Sequence, residues 1–404
     1  MLRQRLPFVA LTVCFALGCG GGESPDDGPS DAEDVAITDV TERDNGAEDT
    51  APEDTTPEDT TPEDTTPEDT TPEDTTPEDT TPEDTTPEDT TPEDADAEDT
   101  EVDEYEPRES AGCGTPNALP TGQTTVATLD HDGLVRTWRI YLPDAYDGLE
   151  PVPLVFGFHG GLGSAEQFEN EQAALNEIAQ REGFAVLYPD GTRGVIGGGT
   201  WNAGDCCGAS AHDDVDDVGF VGALLDSVSD TFCVDERRVY ATGISNGGML
   251  AIRLACELSE RFAAVAPVAA TLTYNACAPT RSVPLMHIHG DADAHVPIGG
   301  GFGCGPSGVE YKSLDQSMAL WAEENACTGD AVELLREGNG ICASEGACDA
   351  ETIRCVVEDG GHDWHGGPPR EGSLPACDAD GAQSQTFNAS EQIWQFFSRQ
   401  HLAE

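Results

Sequence analysis

Residues 238–250 read RVYATGISNGGML. An apolar run with strand character, RVYATG, ends at Gly243, Ser245 follows two residues later, and a helical pattern opens at Asn246. A serine between strand and helix, with glycine two residues away on each side, predicts a sharp turn. The glycines relieve crowding there and leave the hydroxyl exposed. A helix that begins at the serine also aims backbone N–H groups and the positive end of its dipole at any negative charge that grows beside it. The stretch therefore predicts a G-x-S-x-G nucleophile elbow with Ser245 as the reactive group, and Asn246 as one oxyanion donor through its N–H. An inert glycine-rich turn is the plainer alternative.

Working outward, apolar runs and helical stretches alternate from residue 112 to the C-terminus. Strands are expected at 135–142, 153–158, 184–189, 238–243, 262–269, 284–290 and 352–358, and helices near 166–182, 218–232, 246–258, 313–325 and 388–401. Continuous apolar strands separated by amphipathic helices imply a mostly parallel central sheet with helices on both faces, the α/β class. Sites in such sheets lie at the carboxyl ends of the strands.

A serine hydroxyl needs a base, and in the α/β-hydrolase order the acid and then the histidine follow the serine. HIHGDADAHVP (287–297) ends a strand and offers Asp291 and Asp293; DGGHDWHGG (359–367) follows the last strand and offers His362, with His365 as a competing base. FGFHGGLGS (156–164) is the kind of turn that supplies a second oxyanion N–H, here from Gly161 or Leu162, with His159 bracing the turn rather than acting as base. His362 and His365 also read as a metal pair, and the two aspartates as a calcium loop. No third ligand is indicated for the first, and the glycine and distal glutamate are missing from the second. No metal or cofactor is expected. Trp364 and Trp201 are expected as substrate-contacting walls, and the aspartates of HDDVDDVGF (212–220) as helix caps.

In order, the motifs HGGLGS, YPDG, WNAGDCCG, VDDVGF, GISNGGML, AAVAPVA, HIHGDADAHVP, WAEENAC, GGHDWHGG and ASEQIWQFF resemble the extracellular polyhydroxybutyrate depolymerase and feruloyl esterase family of serine esterases. The resemblance covers nearly all of 112–404. It implies an α/β-hydrolase fold and cofactor-free ester hydrolysis through an acyl-enzyme. The family pattern H-G-x-x-D-x-x-V-P falls on His289, Gly290, Asp293, Val296 and Pro297, which favours Asp293 over Asp291 as the acid. The implied partner is a polymeric ester, either polyhydroxyalkanoate or feruloyl and acetyl groups on polysaccharide, and no nucleic acid. A serine peptidase of the same fold and a non-catalytic polymer-binding protein of the envelope are the alternatives.

Three segments divide the chain: a leader at 1–19, an acidic linker at 20–110 and the esterase-like domain at 111–404. The leader has Arg3 and Arg5, an apolar run and the ending ALGC, which is similar to a bacterial lipobox with Cys19 as the lipidated residue, although Ala16 stands where leucine is usual. The linker holds 37 acidic residues and two basic ones, Arg43 and Arg108, out of a chain total of −61. Its pentads, APEDT and then TPEDT, offer no apolar side chain to bury, so it is expected to be a disordered spacer. Export, with membrane contact only through a lipid anchor, places the domain outside the cell or on the envelope. The twelve cysteines from Cys113 to Cys377 are an even set that suits disulfides there, with Cys206 and Cys207 expected to bridge to separate partners.

Overall fold

Strand β3 (Val152–Phe158) is buried from Pro153 to its end, and β6 (Ala264–Val268) and β7 (Leu285–Gly290) are buried throughout. Runs of that kind can only be interior strands, covered on both faces. In a computed structural model that describes residues 105–194, 197–369, 377 and 379–403, they lie within a single ten-stranded sheet. Cys19, the leader and the repeat segment lie outside the described residues.

The other strands of this sheet are β1 (Gln123–His131), β2 (Leu134–Leu142), β4 (Ala185–Pro189), β5 (Val234–Ile244), β8 (Val332–Glu337), β9 (Gly340–Ser344) and β10 (Thr352–Val357). Their spatial order is β1-β2-β4-β3-β5-β6-β7-β10-β9-β8. The run from β4 to β10 is parallel, and an antiparallel pair flanks it on each side. This is the α/β-hydrolase fold expected from the sequence. Three strands went unread there. β1 and β2 form a hairpin around Asp132 and Gly133, both at positive φ, and β8 and β9 form one around Gly338 and Asn339.

Strand side chains alternate between two cores. Leu154, Phe156, Val239 and Ala241 face a cluster built with helices α2 (Asp217–Thr231), α3 (Asn246–Glu257) and α4 (Leu314–Glu324). Val155, Val186, Tyr240 and Ile288 face a second cluster with α1 (Leu175–Glu182) and α5 (Ala389–Phe397), where Trp394 stacks on Phe184 and Phe397 on Tyr240. At about 25 cal/mol per Å² of apolar surface removed from water, these two layers supply the main drive for the fold.

The single helix expected over 166–182 is broken. A short turn at Ala165–Gln167 runs into a π-helical stretch at Phe168–Ala173, and Ala174 is left-handed before α1 begins. The Ser390 hydroxyl donates to the Ala173 carbonyl, and Gly367 sits so close to the Gln172 carbonyl that a Cβ there would meet it at 2.0 Å. Tertiary contacts outweigh helical spacing at this point.

Among the described residues all twelve cysteines pair: Cys113–Cys233, Cys206–Cys207, Cys256–Cys277, Cys304–Cys377, Cys327–Cys348 and Cys342–Cys355. Separate partners for Cys206 and Cys207 are thus corrected. The other ten close among themselves and leave these two neighbours to each other. Asp216 caps α2 as expected, accepting from the Gly219 N–H, whereas Asp217 is fully buried against Arg136 at 2.7 Å.

Candidate active site

Ser245 sits between β5 and α3 at φ 55°, ψ −125°, a backbone conformation that L-residues rarely hold. The turn is pinned at both ends. The Ser245 N–H donates to the Val268 carbonyl at 2.9 Å, and its own carbonyl accepts from the Met249 N–H at 2.9 Å. Both glycines are sterically required. A Cβ on Gly247 would lie 2.4 Å from the Phe158 and His159 carbonyl oxygens, and one on Gly243 would lie 2.6 Å from the former. Gly247→Ala is therefore expected to cost roughly 1–3 kcal/mol of stability, because backbone rather than a flexible side chain would have to move. A melting curve checks this; an unchanged Tm would show that β3 and α3 can part more easily than their packing implies.

The turn after β3 lies against this elbow. A Cβ on Gly160 would be 3.5 Å from the Ser245 Cβ, and one on Gly161 would be 3.7 Å from the Asn246 Cβ. Asn246 opens α3, where first-turn N–H groups lack intrahelical partners, and among the described residues the Gly161 N–H meets no acceptor. Leu162 is corrected as a donor, since its N–H is spent on the Gly199 carbonyl at 2.7 Å. Its side chain, 46% exposed, is left at the surface. His159 braces the turn: its Nδ1–H donates to the Gly160 carbonyl at 2.7 Å and its Nε2 accepts from the Gly191 N–H at 2.9 Å. Burial pushes the pKa of this imidazole down, which keeps it neutral.

Asp293 follows β7 and His362 follows β10, and the two meet. His362 Nδ1–H donates to Asp293 Oδ2 at 2.8 Å, while Asp293 Oδ1 accepts from the His295 and Val296 N–H groups, each at 2.8 Å. His289 Nε2, which donates to the Val296 carbonyl, lies 3.3 Å from Asp293 Oδ2. Burial would raise the Asp293 pKa, but the His362 charge and the hydrogen bonds from His289 and His362 outweigh it and hold the carboxyl well below its usual range. For His362, burial lowers the pKa, and the Asp293 charge and hydrogen bond, followed by the charges of Asp380 and Asp363, overcome that and raise it. Asp291 is elsewhere, exposed, accepting from the Asp359 N–H at 2.7 Å. Ser245, partly exposed, makes no hydrogen bond through its hydroxyl among the described residues.

His365 is fully buried and accepts from the Ser384 N–H at 3.1 Å; burial pushes its pKa down to about 4, so it has neither the access nor the basicity of a competing base. Trp201 and Trp364, expected as substrate walls, are both corrected to core residues at 0% and 2% exposure. Trp201 donates from its ring to the His159 carbonyl at 3.0 Å, and Trp364 donates to the Ser390 hydroxyl at 2.8 Å while packing edge-on to Phe168. They brace the turn after β3 and the loop of His362 from within the core. The Asn246 side chain, unread in the sequence, clamps the Trp201 backbone by accepting its N–H at 2.7 Å and donating to its carbonyl at 2.9 Å.

Asp293, His295 and Asp380 place one donor atom each within 4.8 Å of one another. A cation there would compete with the N–H groups and imidazoles that already occupy both Asp293 oxygens. Two hollows, one of 490 Å³ beside Leu134–Thr137 and Asp190–Arg193 and one of 300 Å³ around Leu272, Tyr274 and Lys312, include neither Ser245 nor His362.

Residues 136–297 match the family model described as esterase PHB depolymerase. The putative esterase NocK of Nocardia uniformis subsp. tsuyamanensis is 32% identical over 277 residues, 63% of this chain and 78% of its own length. Feruloyl esterase B of Piromyces equi is 30% identical over 234 residues, 55% of this chain; the chain spans only 42% of that protein. An acetyl xylan esterase from Aspergillus awamori superposes with a TM-score of 0.47 at 13% identity, covering 68% of this chain and 99% of its own.

Proposed function

The chain belongs to the esterase PHB depolymerase family, and from that premise we propose that it hydrolyses ester bonds of a polymer through an acyl-enzyme on Ser245. The observation that carries this reading is the elbow: Ser245 at φ 55°, wedged between two glycines that cannot be enlarged. Backbone strain of this kind is kept where it serves a reaction.

In the proposed reaction, His362 Nε2 takes the Ser245 proton as the hydroxyl oxygen attacks the ester carbonyl. Asp293 fixes the imidazole by its Nδ1–H and steadies the cation that forms. The Asn246 and Gly161 N–H groups receive the oxyanion, each such donor being worth about a hundredfold to a thousandfold in rate. The cation then protonates the departing alkoxide. Water, deprotonated by the same imidazole, releases the acid and restores the hydroxyl. The exposed Leu162 side chain offers an apolar contact for the acyl group.

A base must be neutral to act. Because the surrounding carboxylates raise His362, the ascending limb of kcat/KM against pH should have its midpoint above that of an ordinary histidine, with activity lost as pH falls through it. A limb at or below the ordinary value would mean that the carboxylates do not govern the base.

Matched relatives bear feruloyl esterase and acetylxylan esterase names, which supports a feruloyl or acetyl ester of polysaccharide, with polyhydroxyalkanoate as the other polymer of the same reading. Side-by-side hydrolysis of methyl ferulate, acetylated xylan, polyhydroxybutyrate and a peptide ester tests it. Turnover of any of the first three supports it, and turnover of the peptide ester alone would contradict it. Export belongs to the proposal and is supported by six disulfides, which persist in oxidising compartments. Attachment through Cys19 is its membrane-proximal part. No helix among the described residues is long and apolar enough to cross a membrane.

A further inference from the structure

Asp380 lies 18 residues beyond His362, and it touches both the loop of Asp293 and the loop of His362. Its Oδ1 accepts from the Ala294 N–H at 2.9 Å, next to Asp293, and from the His362 N–H at 3.1 Å; its Oδ2 lies 3.2 Å from the same His362 nitrogen and 3.4 Å from His295 Nδ1. The His295 ring in turn stacks on that of His362, with centroids 4.9 Å apart. The segment carrying Asp380 is itself fastened to the acid loop. Cys377 is bonded to Cys304, whose N–H donates to the Ala294 carbonyl at 2.9 Å, and the Gly381 N–H donates to the Ala292 carbonyl at 3.0 Å.

We propose that Asp380 is a positioning residue for the hydrolytic reaction: seated by the Cys304–Cys377 disulfide, its carboxylate ties the backbone of the base at His362 to that of the acid loop at Ala294. The inference rests on the assignment of Ser245 and His362 as nucleophile and base. Asp380 touches no substrate in this scheme and acts through where it holds the imidazole. A carboxylate is suited to the task, because one oxygen can accept from two loops at once while the other faces a stacked imidazole. Misplacing a catalytic group by about 1 Å can cost about a hundredfold in rate, which sets the scale of what this clamp secures.

The substitutions Asp380→Asn and Asp380→Ala separate its two contributions. Asparagine keeps an oxygen for both backbone N–H groups and loses the charge; alanine loses both. Among the described residues, the charged and titratable groups around His362 are Asp293, Asp363, Asp380, His289, His295 and His365. With the Asp380 charge gone from that set, one upward influence on the imidazole is removed, and the ascending limb of kcat/KM should move to lower pH.

The test measures kcat, KM and the pH profile on a short chromogenic ester, with melting curves, for the wild-type chain, both Asp380 variants, Cys304→Ala/Cys377→Ala, and Ser245→Ala. Asp380→Asn is expected to keep its plateau kcat within about threefold while its limb moves to lower pH. Asp380→Ala is expected to lose kcat by about a hundredfold with little change in KM, and the double cysteine variant to lose it in the same direction. A folded Asp380→Ala with wild-type kcat, or an Asp380→Asn limb that does not move, overturns the inference. Should Asp380→Ala fail to fold, the Asp380→Asn limb decides. Retained turnover in Ser245→Ala, or none in the wild type, would sink the underlying assignment and this inference with it. Wild-type behaviour in the Asp380 variants beside an inactive Ser245→Ala would sink this inference alone.

Discussion

Ser245→Ala is expected to lower turnover of a soluble ester by about 10⁴-fold or more while leaving the melting curve close to that of the wild type. The size follows from what the hydroxyl does in the scheme. Without it no acyl-enzyme can form, and the oxyanion donors and substrate contacts can only assist direct attack by water. The mild effect on stability follows from the structure. The strained backbone is held by the Ser245 N–H and carbonyl, through Val268 and Met249, and by Gly243 and Gly247, none of which involves the side chain. Steady-state kinetics beside a thermal melt measures both. A residual rate within tenfold of the wild type would mean that another group attacks the ester.

Asp293→Asn should follow at about 10⁴-fold, with Asp291→Asn near twofold or less. Asp293 Oδ1 already accepts two backbone N–H groups, so an asparagine there would keep its oxygen on them and turn its NH₂ toward His362 Nδ1. That imidazole would have to give up its Nδ1 proton and carry it on Nε2 instead, the wrong tautomer for the proposed base. Asp291 is spared because an asparagine oxygen can still accept the Asp359 N–H. Kinetics of the two variants side by side reads the contrast, and the reverse ranking would move the acid to Asp291.

The turn at Ser245, the two loops that carry Asp293 and His362, and seven of the ten strands were legible because each is announced locally. Apolar runs mark buried strands, and GISNGG has few readings other than a tight turn between strand and helix. What escaped was of two kinds. Hairpin strands at the sheet edges are only half buried, so the alternation in β1 is weak, although Asp132-Gly133 was a usable turn signal. The second kind is long-range partnership. Nothing near Asp380 announces that its carboxylate will meet the His362 N–H, and nothing near Trp201 or Trp364 tells a buried brace from an exposed wall, since an aromatic beside a catalytic motif suits either. Leu162 failed as a donor for the same reason: its competitor, the Gly199 carbonyl, is 37 residues on and arrives through a two-strand bridge. The disulfide partners likewise depend on the fold rather than on spacing.

Ser245 as a nucleophile, activated by an imidazole that Asp293 holds in place, is the step on which the proposed hydrolysis depends. Mass spectrometry of the intact protein and its peptides after treatment with a fluorophosphonate tests it most directly. One covalent adduct per chain is expected, on the peptide containing Ser245, with slow or absent formation in His362→Ala. Labelling at another residue, or an equally fast adduct without His362, would contradict it.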